Sequence, residues 1–148
     1  MRRMHGKTCA QALCAALLIA GAAGPALAAD VVFARHLALA PDGSTLAFCW
    51  AGDIWTVPIG GGQATGLTVH PANDRCPVWS RDGTRLAFAS ERHGADNVFV
   101  MNRDGSGLQR LTFSDRDEIP TDWSPDGDWV YFHSRREGDV SREPRLFR

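Results

Sequence analysis

The sequence lacks the basic excess of a nucleic-acid-binding protein and the long apolar run of a membrane protein. Its 16 lysine and arginine residues nearly balance 17 acidic residues, for a formal net charge of -1. Binding to a phosphate backbone needs clustered basic residues, so a nucleic-acid partner is not expected. The apolar run from about Cys9 to Ala23 is shorter than the roughly 20 residues that cross a bilayer. A stable membrane anchor is therefore not expected either.

Motifs for catalysis are missing as well. No histidine pair has the H-E-x-x-H spacing of a zinc site, and the cysteines show no metal-type spacing. Ser106 lies in Asp104-Gly105-Ser106-Gly107 and not in the G-x-S-x-G turn that presents a nucleophilic serine. The sequence therefore predicts no catalytic residue, no cofactor and no metal in this chain.

One acidic segment resembles the opening of a calcium loop, D-x-[DN]-x-[DN]-G. Its residues are Asp122, Ser124, Asp126, Gly127 and Asp128. The twelfth position would be His133, where a calcium loop needs a bidentate glutamate. A turn is therefore the preferred interpretation of this segment.

The first 28 residues have the layout of a secretory signal peptide. Arg2, Arg3 and Lys7 precede the apolar run, and Ala26-Leu27-Ala28 matches the A-x-A cleavage pattern. All 17 acidic residues come later, so removal of these three basic residues would change the formal charge from -1 to -4. We expect residues 29–148 to be exported to the periplasm or secreted.

Export would also decide the environment of the cysteines. Cys9 and Cys14 would leave with the signal peptide, whereas Cys49 and Cys76 would meet an oxidising compartment. A disulfide between these two is one interpretation, and two plain buried thiols are the other.

A repeat of forty-odd residues runs through the rest of the chain. The pair Asp42-Gly43 returns as Asp82-Gly83 and as Asp126-Gly127, each followed by a short apolar segment. Other segments in register are Asp53 to Val57 with Asn97 to Met101, and Leu67-Thr68 with Leu111-Thr112. Aspartate accepts hydrogen bonds from turn amides and glycine can adopt a positive φ, so each pair predicts a tight hairpin turn.

Each repeat is expected to form four short strands. In the second repeat these are Pro77 to Trp79, Arg85 to Ala89, Asn97 to Met101 and Gln109 to Thr112. Four extra residues around Glu91 to Ala95 are expected to enlarge the turn between its second and third strands. Leu86 and Phe88 alternate with Ala87 and Ala89, which predicts a strand packed on both faces.

Repeats of this size and strand number are typical of β-propeller blades. We expect an all-β fold whose blades of four antiparallel strands span approximately 31–68, 75–112 and 119–148, the third being incomplete. Propellers usually close with about four to eight blades. The sequence is therefore expected to be the amino-terminal part of a longer protein, and open blade edges could allow self-association.

The repeat resembles TolB-type (WD40-like) propeller repeats, whose pattern is W-S-P-D-G, an apolar strand, a D-I-Y-V-M-type strand and a final L-T. Residues 79–112 fit this pattern over its whole length. The propeller repeats begin soon after the export signal. This order, together with the sequences of Leu67 to Asp74 and Pro77 to Ser80, is most similar to the amino-terminal propeller of tricorn-type serine proteases.

That resemblance implies a non-catalytic module that guides peptides toward a protease domain outside this chain, so the parent could be a serine peptidase. Two alternatives stay open because one fold serves many functions. One is a TolB-like periplasmic scaffold for envelope proteins, and the other is the propeller of a prolyl-oligopeptidase or amidohydrolase relative. In each case the expected ligands are peptides or proteins.

Loop residues at one end of the propeller are the candidates for a binding rim. They are His70, His93, Asp115, Asp117 and Glu118. Binding residues collect on loops, and an acidic rim would attract a cationic partner. Ordinary solvated side chains are the simpler interpretation of the same residues.

Overall fold

The computed structural model describes residues 33–134 and 145–147, and every regular element in these ranges is a β-strand. The predicted signal peptide, residues 1–28, lies outside them. No helix among the described residues is long and apolar enough to cross a membrane. The expected all-β fold class is confirmed.

The described residues form eleven strands in three antiparallel sheets, each with its strands side by side in chain order. The first sheet contains β1 (Arg35–Leu39), β2 (Thr45–Trp50), β3 (Asp53–Pro58) and β4 (Thr65–Gly66). The second contains β5 (Asp74–Trp79), β6 (Arg85–His93), β7 (Ala95–Asn102) and β8 (Gln109–Arg110). The third contains β9 (Glu118–Trp123), β10 (Val130–Ser134) and β11 (Arg145–Phe147). The first two sheets have the four antiparallel strands of a propeller blade.

The four extra residues of the second repeat lengthen a hairpin and do not enlarge its turn. Strands β6 and β7 continue until His93 pairs with Ala95, and Gly94 turns the chain with a φ of 99°. The Glu91 amide also donates to the Asn73 carbonyl at 3.1 Å. Added residues extend the ladder because strand pairing satisfies their backbone groups. The expectation of an insertion confined to a turn was therefore wrong.

The second sheet is buried on both of its faces. Leu86, Phe88 and Met101 pack toward the first sheet in one core cluster, which includes Ile54. On the other face, Ala87 and Val98 pack against Trp123, Val130 and Phe132 of the third sheet in a second cluster. Adjacent residues of β6 thus serve different interfaces, as the alternation in its sequence predicted.

The tryptophan of each W-S-x-D-G segment joins its sheet to the preceding one. The Trp79 indole donates from Nε1 to the Ala38 carbonyl at 3.0 Å, and the Trp123 indole donates to the Val78 carbonyl at 3.1 Å. Both acceptors lie on the first strand of the preceding sheet. The same hydrogen bond therefore links β5 to β1 and β9 to β5, the first strands of adjacent sheets.

Arginines of the second sheet reinforce both interfaces. Arg103 lies over the Trp79 ring at 5.3 Å and donates to the Asp42 carboxylate of the first sheet at 3.0 Å. Arg85 lies over the Trp123 ring at 4.6 Å and donates to the Gly127 carbonyl of the third sheet at 2.7 Å. Because guanidinium groups stack on aromatic rings while donating at their edges, each arginine makes both contacts at once.

The three Asp-Gly pairs form equivalent turns. Gly43, Gly83 and Gly127 have φ values of 69°, 69° and 76°, in the left-handed region that glycine adopts without a Cβ clash. Each aspartate accepts the amide of the residue two positions later: Ser44 at 2.9 Å, Thr84 at 3.1 Å and Asp128 at 3.1 Å. The repeated sequence element thus corresponds to a repeated backbone conformation.

These turns predict a loss of stability in acid. The amide and hydroxyl of Ser44, together with Arg103, lower the pKa of Asp42 to about 2. The Ser80 hydroxyl, followed by the amide and hydroxyl of Thr84, lowers the pKa of Asp82 to about 2. Because the folded pKa lies below the ordinary value of 3.8, the contribution is complete above that value and is lost as the pH falls toward 2.

Urea unfolding at several pH values between 3.8 and about 2 measures this effect. The urea concentration at the unfolding midpoint should decrease steadily as the pH is lowered. An Asp82→Asn variant should show a smaller decrease. Asp115→Asn is the matched control because Asp115 is outside the turns and should leave the slope unchanged. A wild-type midpoint that stays level across this range would contradict the prediction.

Candidate functional site

Antiparallel pairing separates the connections into two ends. The three Asp-Gly turns lie at one end, and the hairpins β2–β3 and β6–β7 lie at the other. The segments that lead into β5 and β9 lie at that second end, which we call the loop end. His70, His93, Asp115 and Asp117 all lie at the loop end.

The two candidate histidines are exposed, but each makes a local contact. The His70 amide donates to Asp53 Oδ1 at 3.1 Å, and its ring Nδ1 accepts the Ala72 amide at 3.0 Å. The His93 ring lies parallel to the Phe99 ring, with 6.2 Å between the centroids. Among the described residues, neither histidine belongs to a group of His, Cys, Asp and Glu side chains that could hold a metal ion.

The acidic candidates divide into exposed and buried positions. Asp115 is open to solvent, and Asp117 accepts the Asp96 amide at 3.3 Å. Glu118 is 0% exposed at the beginning of β9, where it pairs with Ser134. Side chains alternate between the faces of a strand, and this position faces inward. Placing Glu118 on a solvated rim was therefore wrong, whereas Asp115 and Asp117 are exposed.

The segment that resembles a calcium loop is occupied by other interactions. Asp122 forms an ion pair with Arg81 at 2.9 Å, and Asp126 accepts hydrogen bonds within its turn. His133 lies on β10 and pairs with Ile119. Within residues 33–134 and 145–147, no three His, Cys, Asp or Glu side chains form a group that could hold a metal ion.

A cleft of about 590 Å³ opens at the loop end between the first two sheets. We call it the inter-sheet cleft. Its walls come from β1, the β2–β3 hairpin and the beginning of β5, and its residues include Arg35, His36, Trp50, Asp74 and Glu91. Concave sites with an aromatic side chain and a few polar groups are typical of ligand binding.

Backbone strain is concentrated at this cleft. Four non-glycine residues of the described chain have a positive φ: Phe33 (67°), His36 (49°), Ala51 (53°) and Cys76 (54°). The first three line the cleft, and Cys76 follows Arg75, which also lines it. Such conformations cost about 1–3 kcal/mol each and cluster at ligand sites. This clustering marks the cleft as the candidate site.

The strain at His36 and Cys76 belongs to β-bulges. The pairing of β1 with β2 shifts between Arg35 and Ala38, and that of β5 with β6 shifts between Arg75 and Val78. A bulge re-aims the side chains of its strand. The two bulges occupy equivalent positions, 40 residues apart, in the first strands of adjacent sheets.

Most charges in the cleft are compensated, and the exceptions among the described residues are Arg35 and Glu91. The Asp96 carboxylate pairs with Arg75 and raises its pKa, and Asp74 is paired with Arg92 at 2.7 Å. Arg35 is exposed and forms no ion pair with any residue that the structure describes. The cleft therefore presents the exposed Arg35 guanidinium to a ligand, with the Glu91 carboxylate in the same lining.

The lining of the cleft also offers apolar and polar groups. Trp50 is 37% exposed and meets the Trp55 ring edge to face, with centroids 5.2 Å apart. Glu91 accepts a hydrogen bond from the Asn73 amide group at 3.1 Å and remains partly accessible. These groups can bind a ligand that combines an anionic group with an apolar one.

Sequence reasoning missed Arg35, Trp50 and Glu91 as site residues. One signal was present, because Arg35 and Arg75 occupy equivalent positions of the repeat, 40 residues apart. Only the contacts show that Arg75 is paired with Asp96, whereas Arg35 forms no ion pair with a described residue.

A second cleft, of about 780 Å³, lies between β7 and β8 of the second sheet and β9 and β10 of the third. Its walls include Val98, Trp123, Val130 and Phe132, which also form the second core cluster. This cleft therefore continues the packing between two sheets, and none of the described non-glycine residues with a positive φ lines it.

Comparisons with known proteins agree with this architecture. Residues 35–148 match the family described as the tricorn protease N-terminal beta propeller domain. An uncharacterized protein of Agrobacterium fabrum is 34% identical over 113 residues, covering 71% of this chain and 37% of that protein. Tricorn protease homolog 1 of Streptomyces coelicolor is 35% identical over 89 residues, covering 59% of this chain and 8% of the homolog. The chain thus spans well under half of either relative.

Solved structures show the same fold. A putative TolB from Agrobacterium tumefaciens superposes with a TM-score of 0.68 at 27% identity, covering 80% of this chain and 46% of that one. The tricorn protease superposes with a TM-score of 0.58 at 16% identity, covering 77% of this chain and 12% of that one. Both similarities indicate that this chain has the fold of part of a propeller.

Proposed function

This chain belongs to the family of tricorn protease N-terminal β-propeller domains, and we propose that it is an exported module that binds peptides without cleaving them. The strongest support is the clustering of residues with a positive φ at the inter-sheet cleft, which the exposed Arg35 also lines. The complete protein would be larger than this module. If that protein is a peptidase or hydrolase, another domain would carry out its catalytic step.

The chemistry of the inter-sheet cleft suits a short peptide. A guanidinium can donate two parallel hydrogen bonds to a carboxylate, so Arg35 would receive an acidic side chain or a chain end. Trp50 offers an apolar surface for a neighbouring side chain, and Glu91 offers an acceptor for a peptide amide. The inter-sheet cleft thus provides groups for binding.

Export follows from the signal peptide pattern of residues 1–28, and the periplasm or the exterior is the proposed location. A second candidate function is a TolB-like scaffold that binds envelope proteins. The putative TolB structure, at 27% identity and a TM-score of 0.68, supports it. The two functions differ in ligand size, because a scaffold would bind a folded partner and not short peptides.

Arg35→Ala should weaken peptide binding about tenfold or more. Hydrogen bonds to a charged group contribute about 1.5–3 kcal/mol, and each 1.4 kcal/mol is about a factor of ten in affinity. Fluorescence anisotropy with short labelled peptides that carry a free carboxylate and one aromatic residue measures the change. Mass spectrometry of the same mixtures should find the peptides intact.

Arg81→Ala is the matched control. Arg81 is also an exposed arginine, but it lies at the end with the Asp-Gly turns and pairs with Asp122. Binding by this variant should equal that of the wild type. If the wild type binds no peptide, or if both variants bind equally well, the inter-sheet cleft is not a peptide site. Binding of a folded envelope protein alone would favour the scaffold.

A further inference from the structure

Cys49 and Cys76 come from different sheets and lie on either side of the first sheet interface. Cys49 is on β2, is 7% exposed and belongs to the first core cluster. Cys76 is half-buried on β5, whose residues contact β1, β2 and β3. Cysteines that are 27 positions apart in the chain are thus placed against the same interface.

The two cysteines lie on strands that contact each other. Strand β2 carries Cys49 and strand β5 carries Cys76, and β2 and β5 contact each other across the sheet interface. Burial is the main cause of the raised pKa of Cys49, and the Cys76 backbone and thiol also act on it. A disulfide requires its two Cα atoms to approach to about 4.4–6.8 Å, and facing strands of one interface are where such a bridge would form.

We propose that Cys49 and Cys76 are a redox-active pair whose disulfide covalently links the first two sheets beneath the inter-sheet cleft. Both thiols are free in the present structure. Cys49 lines the cleft, and Cys76 follows Arg75 in its wall. The bond would join two cleft walls at the bulge where Cys76 has a φ of 54°.

The bond would form by exchange with a disulfide oxidant, such as glutathione disulfide. The thiolate of the more accessible Cys76 attacks one oxidant sulfur, and the other sulfur leaves as a thiolate. The Cys49 thiolate then attacks the Cys76 sulfur and releases the second oxidant thiol. The pair loses two electrons and two protons in total, and the oxidant is reduced to two thiols.

The surroundings of the thiols set the pace of this reaction. Burial raises the pKa of Cys49 to about 12 and raises that of Cys76 above its ordinary value. Thiolates are the reacting species, so oxidation at neutral pH is expected to be slow. The pair is therefore tested at equilibrium and not by its initial rate.

The test uses the full chain with Cys9→Ser and Cys14→Ser, so that only the proposed pair can react. The folded protein is equilibrated with excess glutathione disulfide, alkylated and mapped by mass spectrometry. We expect an intramolecular Cys49–Cys76 bridge and a melting temperature higher by roughly 5 °C or more, because the cross-link restricts the unfolded chain.

Cys49→Ser provides the control, because it leaves Cys76 unable to form the bridge and should show no rise in melting temperature on oxidation. Free thiols at both positions after equilibration would overturn the proposal. In the protein that keeps both Cys49 and Cys76, glutathione still bound to Cys76 after equilibration would overturn the proposal as well. A disulfide between two chains would also overturn it. None of these results depends on whether the cleft binds peptides.

Discussion

Phe88→Ala should lower the free energy of unfolding by about 3–5 kcal/mol. The Phe88 side chain is 0% exposed and stacks on Phe99, with ring centroids 5.8 Å apart. It belongs to the core cluster that joins the first two sheets, together with Cys49 and Ile54. Truncation would leave a cavity in this interface, and the lost contacts add to the lost transfer free energy.

Urea unfolding followed by circular dichroism measures the effect. Phe113→Ala is the matched control, because Phe113 is 76% exposed and contacts mainly the Arg110 guanidinium, at 4.6 Å. Phe113→Ala should lower the free energy of unfolding by about 1 kcal/mol or less. If Phe88→Ala does not fold, Phe88→Leu should fold with a loss on the order of 1 kcal/mol. Equal midpoints for the Phe88 and Phe113 variants would contradict the assigned core.

Arg92→Met should be nearly as damaging, with a loss of about 3–5 kcal/mol. The Asp74 carboxylate is 0% exposed and accepts from Arg92 Nη2 at 2.7 Å and from Nε at 3.4 Å. Methionine fills part of the volume but leaves that carboxylate buried without its cation. The effect would reach the cleft, because the Asp74 amide also donates to the Gly52 carbonyl of the first sheet at 2.7 Å.

A double variant separates the buried charge from the loss of packing. Arg92→Met with Asp74→Leu removes both charges and should recover most of the lost stability, because a well-packed apolar pair often replaces a buried ion pair without cost. Arg116→Met is the exposed control, since Arg116 lies 3.9 Å from Asp115 at the surface and should change stability by about 0–1 kcal/mol. A double variant less stable than Arg92→Met would show that the buried charge is not the cause.

The periodic features of this molecule were readable from its sequence. The three Asp-Gly turns, the alternation along β6 and the four-strand sheets all follow from local preferences that recur every forty-odd residues. The resemblance to TolB-type and tricorn-type propellers rested on the same recurrence and is confirmed. A repeat reports its own structure because each copy satisfies the same turn and packing constraints.

The candidate site was not readable in this way. Glu118 follows three charged residues in the chain, yet strand alternation buries it while Asp115 stays in solvent. Arg35 and Arg75 occupy equivalent positions of the repeat, but an aspartate at position 96 compensates only Arg75. Composition and spacing do not distinguish such pairs because the partner comes from a distant strand.

Local sequence alone was enough to set the turns, the strands and their stacking into blades, because hydrogen bonding within a hairpin and side-chain alternation act over a few residues. Tertiary structure alone decided which charges are neutralised, where the backbone is strained and which two cysteines lie at the same sheet interface. Those properties depend on contacts between sheets, and residues far apart in the chain meet there only after the blades have packed.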